Sequence, residues 1–302
     1  MKPEWPRWCS NPYLLLTLSA LFWSGNMVLG RGLRDDIPPI ALAFWRWLIA
    51  FALVLPLALP HWSAHAHLIR RHLPALLLLA ALGIASYNTL AYLALQTTTA
   101  TNALLLNAFV PIATLTLAWI FFKKRLSRME GIGVAVSLLG ALTLITRGDP
   151  ASLATLTLNT GDLWMLGAVL VWACYTLGLQ FRPPGMPPML LLAVLFALGL
   201  IMLAPFYLWE ILQGRHIQLH TGSLLGLAYL GIFPSFIGYI FYNRGVAEVG
   251  ASRASLFIHL MPVFGILLAA LFLNERPSLY HLLGMSLIFT GIALVTRKPV
   301  RP

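Results

Sequence analysis

Apolar positions along this chain fall into ten long runs rather than into alternating or amphipathic patterns. They cover Tyr13–Gly32, Pro39–Leu59, Leu73–Leu95, Ala100–Phe122, Met129–Thr146, Gly161–Phe181, Pro188–Trp209, Gly222–Asn243, Ala251–Leu273 and Tyr280–Thr296. A helix needs roughly 20 apolar residues to cross the hydrocarbon core of a bilayer, and each run is close to that. Turn signals separate them, among them Asp35-Asp36-Ile37-Pro38, Thr97-Thr98-Thr99, Gly148-Asp149-Pro150, Pro183-Pro184-Gly185 and Asn274-Glu275-Arg276-Pro277. No gap is long enough for a soluble domain. The pattern predicts an all-α integral membrane protein of ten transmembrane helices. The first run follows Lys2 and Arg7, as in a signal peptide, but no small-residue cleavage site ends it, so it is read as part of the protein.

Composition narrows the classes further. Of 302 residues, 59% are hydrophobic and 10% are charged, too few charges to clothe a water-facing surface. That excludes a soluble enzyme, a nucleic-acid binder and a disordered chain. The formal net charge of +11 reports loop bias instead. With ten spans, one side carries Lys2, Arg7, Arg70, Arg71, Lys123, Lys124, Arg125, Arg128, Arg182, Arg244, Arg253, Arg297, Lys298 and Arg301. The other carries Arg31, Arg34, Arg147, Arg215 and Arg276. The positive-inside rule then places both termini in the cytoplasm, and the expected location is a bacterial-type inner membrane. Cys9 and Cys174 do not form a disulfide framework.

The chain repeats itself. A shift of 151 positions aligns Ala100 with Ala251, Pro111 with Pro262, Phe121 with Phe272, Arg125 with Arg276, Ser127 with Ser278, Gly133 with Gly284 and Gly140 with Gly291. A shift of 149 aligns Trp23 with Trp172. Each half, 1–147 and 148–302, therefore holds five spans. Five is odd, so the halves must run in opposite directions across the membrane. Inverted repeats are a signature of secondary transporters that bind substrate near the midplane.

The residues Phe272-Leu273-Asn274-Glu275-Arg276-Pro277-Ser278 with Leu283-Gly284 resemble the end of an EamA domain. So do Ala251-Ser252-Arg253-Ala254-Ser255 with Met261-Pro262-Val263-Phe264. Two such domains in tandem resemble the ten-helix members of the drug/metabolite transporter superfamily, and within it the YddG-type amino-acid exporters. The resemblance covers nearly all of the chain. It implies export of neutral aromatic or hydrophobic amino acids, or similar small metabolites, by alternating access, with no cofactor and no metal. The first half departs from the pattern, with Lys123-Lys124-Arg125 where a Glu-Arg turn would stand.

Polar groups in a membrane are costly and usually face the bundle interior. Trp23, Asn26 and Gly30 share one face of the first span, and Trp172 and Tyr175 repeat it in the sixth. Tyr87 and Asn88 stand mid-way along the third, Asn102 in the fourth, Tyr239 in the eighth. Ser255 and His259 lie on a stripe with Ser252 in the ninth. The expected site is a cavity lined by Trp23, Asn26, Tyr87, Asn88, Asn102, Trp172, Tyr175, Tyr239, Ser255 and His259. Aromatic faces suit apolar bodies and hold ammonium groups, while amides and hydroxyls meet a carboxylate without imposing net charge. The same residues also suit helix-to-helix bonding. Arg46 reads as a cation reaching toward the interface with Asp35 or Asp36 as partner, or as an anion receptor.

Gly83, Pro111, Pro234 and Pro262 are the expected hinges. The small faces at Gly133, Ser137, Gly140, Gly284 and Gly291 suit static packing or a homodimer interface, although a monomer suffices. None of the nine acids (Glu4, Asp35, Asp36, Glu130, Asp149, Asp162, Glu210, Glu248 and Glu275) falls mid-span. That favours a carrier uncoupled from ion gradients over a proton-coupled multidrug exporter. The expected partners are an amino-acid substrate and the lipid bilayer, with no nucleic acid. A membrane enzyme would show clustered Asp, His or Cys, and the Asp35-Asp36 pair stands alone in a loop. His61, His65, His67 and His72 lie in a basic stretch without acidic or cysteine partners, which suits solvent better than a metal.

Overall fold

Asn11 caps the first helix by accepting from the Tyr13 and Leu14 backbone N–H groups, and Pro12 takes a position whose N–H would be orphaned anyway. The computed structural model describes residues 11–124, 127–149, 151, 159–273 and 279–296. Ten helices follow in order. They are α1 (Pro12–Gly32), α2 (Pro39–Arg71), α3 (Leu73–Thr97), α4 (Ala100–Asn107 and Val110–Phe122) and α5 (Arg128–Ile145). Then come α6 (Thr160–Phe181), α7 (Pro188–Leu212), α8 (Thr221–Val249), α9 (Ala251–Leu256, a 3₁₀ turn at Phe257–His259, and Leu260–Leu273) and α10 (Leu279–Thr296). Among the described residues nine of these are long and apolar enough to span a bilayer, and α9 is a shorter apolar helix over Ala251–Leu267. The fold is an all-α integral membrane bundle. The turn at 274–277, the pairings of Arg125 with Arg276 and Ser127 with Ser278, and both termini lie outside the described residues.

One helix overruns its apolar run. α2 ends at Arg71 rather than near Leu59. Its 33 residues extend about 50 Å at 1.5 Å each, against a hydrocarbon core of roughly 30 Å. The apolar pattern stops where the membrane stops. The helix continues because the next stretch, rich in His and Ala, holds no glycine to end it. Pro56 and Pro60 ride inside it.

α5 and α10 show that the halves are inverted. A Cβ on Gly140 would lie 2.6 Å from the Gly284 carbonyl, and one on Gly291 would strike the Gly133 carbonyl. Early residues of α5 thus face late residues of α10, so these repeat-equivalent helices run antiparallel. The other contacts obey the same exchange. α1 packs on α8 as α6 packs on α3, α1 on α9 as α6 on α4, and α2 on its own equivalent α7. The small faces of α5 and α10 are consumed within the chain and are not free for a homodimer. Gly140→Val should cost roughly 1–3 kcal/mol by overpacking, seen as a lower unfolding midpoint of the detergent-solubilised protein. Gly32→Ala, which meets no atom within 4 Å, should leave the midpoint unchanged. Equal midpoints for the two variants would show that the α5–α10 seam has room.

Because successive helices reverse, Arg70, Arg71, Lys123, Lys124, Arg128, Arg182, Arg244 and Arg253 gather at one end of the bundle, the basic end. Arg31, Arg34, Arg147 and Arg215 mark the far end.

Candidate substrate site

A hollow of about 450 Å³ opens at the basic end, lined by Lys124, Thr176, Gln180, Arg182, Gly250 and Ser252 among others. A second, of about 500 Å³, shares Leu179, Arg182, Pro184 and Ala247 with it and reaches Asn243. Both fall in the roughly 300–1,000 Å³ range of small-molecule sites. The floor of this vestibule is polar. Thr176 and Tyr242 share a hydroxyl hydrogen bond of 3.1 Å, and the Tyr175 hydroxyl donates to Asn243 Oδ1 at 2.9 Å.

Beneath the floor the rings close on each other. Trp172 stands at the centre, with ring centroids 5.0 Å from Trp23, 4.6 Å from Tyr87, 5.1 Å from Tyr175, 5.6 Å from Tyr239 and 5.3 Å from Tyr242. Trp47 and Phe196 extend the group through Tyr239, at 4.8 and 6.2 Å. Edge and tilted geometries dominate, as ring quadrupoles prefer. The cluster joins α1, α2, α3, α6, α7 and α8, so it sits between the two repeats. The sequence reading expected these rings around an open cavity. Instead they fill the centre themselves, and the open space lies nearer the basic end.

The backbone makes room for this cluster by two wide turns. α3 becomes a π-helix over Ala81–Ser86 and α8 does so over Gly231–Ile237, positions that correspond under the 151-residue shift. π turns disturb the i→i−4 ladder and recur at functional sites. Here the Gly83 carbonyl accepts from the Tyr239 hydroxyl at 2.6 Å, and the Pro234 carbonyl accepts from Trp23 Nε1 at 2.9 Å. Gly83 and Pro234 are themselves 151 residues apart. Each repeat lends a carbonyl to an aromatic residue of the other. Gly83 must lack a side chain, because a Cβ would strike the Tyr175 ring.

Arg46 lies toward the far end from the cluster, at 1% exposure. It does not reach for the interface. Nε donates to Ser235 Oγ at 2.6 Å, and Nη1 donates to Asn26 Oδ1 at 2.8 Å, Asn88 Oδ1 at 2.7 Å and the Tyr92 oxygen at 2.5 Å. Asp35 pairs with Arg34 and Asp36 with His220 instead. The interface pairing expected from sequence is therefore replaced by a cage of neutral acceptors. Placing an arginine within a membrane helix costs about 2.5–3.5 kcal/mol on insertion scales, and four acceptors offset much of that.

His259 is spoken for on both nitrogens. Nε2 bonds the Ala108 carbonyl at 2.8 Å, and Nδ1 bonds the Ser137 hydroxyl. A carbonyl only accepts, so Nε2 carries the proton, and the Ser137 hydroxyl completes the neutral tautomer. Ala108 lies in the break of α4, and His259 in the matching break of α9, 151 residues on. His259 thus ties the two breaks together on α5, and no ring contact joins it to the cluster. Ser255 donates to the Ser252 carbonyl at 3.1 Å within α9. Asn102 stands in the first turn of α4, its backbone N–H capped by Thr99. The structure gathers Trp23, Tyr87, Trp172, Tyr175 and Tyr239 in one cluster, with Asn26 and Asn88 beside it on Arg46. It sets Asn102, Ser255 and His259 apart. Each expected hinge falls at an irregularity: Gly83 and Pro234 in the π turns, Pro111 and Pro262 just past the breaks of α4 and α9.

The far end is laced shut. Arg31 Nη1 donates to the Leu95 carbonyl at 2.5 Å, Thr98 Oγ1 to Asp162 Oδ1 at 2.5 Å, and the buried Glu210 carboxylate accepts from the Ile40 and Ala41 N–H groups at 3.3 and 2.7 Å. α2 begins after Pro38, which offers no side-chain cap. Glu210 of α7, the helix packed beside α2, supplies one, favoured by the helix dipole. These bonds close the seam between the repeats at the far end, while a separate hollow of about 460 Å³ lies beside it between α2, α7 and α8, lined by Trp45, Tyr207, Arg215 and Leu224 among others.

Trp47, Tyr92, Phe196 and Ser235 complete the centre but were not among the expected site residues. Tyr92 carried a usable signal, since it stands one turn after Asn88 on the same helix face. Trp47 and Phe196 sit in runs apolar on every side, which leave no periodicity to read.

Two inverted five-helix repeats closed over a buried aromatic and polar centre define a multi-pass membrane protein. The chain belongs to the EamA-like transporter family, whose model matches residues 10–146 and again 159–297. Similar proteins include an Archaeoglobus fulgidus protein named only as an uncharacterized transporter, 28% identical over 96% of this chain and 98% of that protein. Another is the uncharacterized transporter YyaM of Bacillus subtilis, 26% identical over 93% of this chain and 92% of its own. A solved crystal structure shares the fold, with TM-score 0.76 at 19% identity over 95% of this chain and 97% of the other. The protein is a membrane transporter.

Proposed function

We propose that this transporter exports neutral aromatic or hydrophobic amino acids, or similar small metabolites, as the YddG-type exporters it resembles do. The two repeats, 1–147 and 148–302, rock about the ring cluster, and the basic end faces the cytoplasm of a bacterial-type inner membrane. The observation that carries this reading is the cluster itself, a packed aromatic centre at the floor of an open vestibule. An apolar or aromatic side chain entering from the vestibule exchanges ring-on-protein contacts for ring-on-ligand contacts of the same kind, at little net cost. The neighbouring amides, hydroxyls and Arg46 meet the polar end. Transport runs down the substrate gradient, because no carboxylate lies mid-span among the described residues and both His259 nitrogens are engaged.

The test is uptake into proteoliposomes with no ion gradient imposed. Labelled methionine, threonine and phenylalanine are compared with lysine, glutamate and a cationic dye. Saturable uptake of the neutral amino acids is the expected result. Uptake of the dye alone would favour a multidrug exporter. Flux that needs a pH gradient and is lost in His259→Ala would favour proton coupling.

A further inference from the structure

Arg46 is fully caged but its charge is not neutralised. All its partners, Asn26, Asn88, Tyr92 and Ser235, are neutral. Among the described residues no carboxylate lies within ion-pair distance of it, and the acids elsewhere have other work. Asp162 and Glu130 cap their own helices, and Glu210 caps α2. The bonds are also lopsided. Nη1 serves three acceptors with two hydrogens, while Nη2 makes no hydrogen bond among the described residues. Unfilled donors crowd the same place. Trp47 Nε1 is buried without a partner, and Asn88 Nδ2 faces the Tyr239 hydroxyl without a well-formed bond. A buried polar group left unpaired is costly and asks for an explanation.

We propose that Arg46 is the receptor for a substrate carboxylate, which binds the guanidinium through Nη2 when the site is occupied. This rests on the transport reading above and narrows it: the substrate carries a carboxylate. A guanidinium fork matches a carboxylate in shape and charge, and low dielectric strengthens the pairing. A single cation among neutral polar groups suits a monoanion better than a phosphate ester. Trp47 connects this receptor to the rings. The Arg46 guanidinium carbon lies 5.0 Å from the Trp47 ring centroid, and Trp47 meets Tyr239 edge-on at 4.8 Å. A ligand with its carboxylate on Arg46 therefore lays its body along Trp47 into the cluster. Lys124 and Arg182 in the vestibule wall raise the local concentration of anions on the way in. Asn26, Asn88, Tyr92 and Ser235 are positioning residues that aim the fork.

The purified full-length protein is titrated with acetate, 3-phenylpropanoate, phenylalanine, phenylalaninamide and phenethylamine, with intrinsic tryptophan fluorescence as the readout. The carboxylates that carry a ring should bind at least tenfold more tightly than the amide and the amine. Arg46→Gln should remove that preference and Arg46→Lys should restore part of it. If the glutamine variant does not fold, the comparison within the unaltered protein decides. Equal binding of phenylalanine and its amide, or no response to any carboxylate, overturns the proposal. Binding and uptake of phenylpropanoate without phenylalanine keeps Arg46 as receptor and removes the amino-acid reading. Phenylalanine uptake with the amide competing equally does the reverse.

Discussion

Trp172→Ala should lower the initial rate of substrate uptake at least tenfold while the protein still reaches the membrane in normal amount. Trp172 touches five other rings of the cluster, and they come from both repeats. In a soluble core, Trp→Ala removes about 3–5 kcal/mol. Within a bilayer part of that loss is absent, because lipid tails are as apolar as the side chains they replace. Insertion and the seam between α5 and α10 therefore survive. What the variant loses is the surface on which a ligand's apolar body exchanges contacts, together with the lateral support that holds Tyr87 and Tyr175 in place. Trp172→Phe keeps most of that surface and should retain a third or more of the rate. The measurement is uptake into proteoliposomes with protein amount matched by quantitative blotting. Normal rates for both variants would mean that the cluster is a structural plug and that substrate passes elsewhere.

The membrane spans were legible because lipid imposes a simple rule, about 20 apolar residues per crossing, and this chain obeys it with turn residues between. The inversion was legible from matched prolines and glycines. Gly133, Gly140, Gly284 and Gly291 repeat because the backbones of α5 and α10 nearly touch there. The rings at Trp23, Tyr87, Trp172 and Tyr239 stood out because aromatic residues beside amides interrupt otherwise aliphatic helices. Three features were not legible. Arg46 has carboxylates nearby in sequence at Asp35 and Asp36, and only the rotation of α2 against α1, α3 and α8 turns it inward. His259 shares a helical stripe with Ser255, yet the 3₁₀ turn at Phe257–His259 breaks the 3.6-residue period on which that stripe depends. The π turns have no signature of their own. Gly83 and Pro234 mark them, but a hinge, a kink or a close approach would select the same residues.

Joining Thr98 to Asp162 should stop transport altogether. These side chains belong to opposite repeats, Thr98 just after α3 and Asp162 in the first turn of α6, and their oxygens are 2.5 Å apart. The side-chain contact makes Thr98 and Asp162 the pair at which to place cysteines for an oxidative cross-link between the repeats. The link would hold the far end in its closed arrangement while leaving the vestibule at the basic end untouched. An alternating-access carrier must open that end once per cycle, so the oxidised Thr98→Cys/Asp162→Cys protein, made with Cys9→Ser and Cys174→Ala, should show no more than a few per cent of the reduced rate. Reduction should restore it. Asp162 also caps α6 with Asn159, and losing a cap typically costs about 1 kcal/mol. The single variants should therefore be active but easier to unfold. Ligand binding separates a locked carrier from a damaged one. The oxidised protein should still bind substrate from the basic end, because the vestibule and the ring cluster lie on the open side of the lock. Full transport in the oxidised form would show that the Thr98–Asp162 contact is not part of a gate, and that the path to the far side runs between other helices.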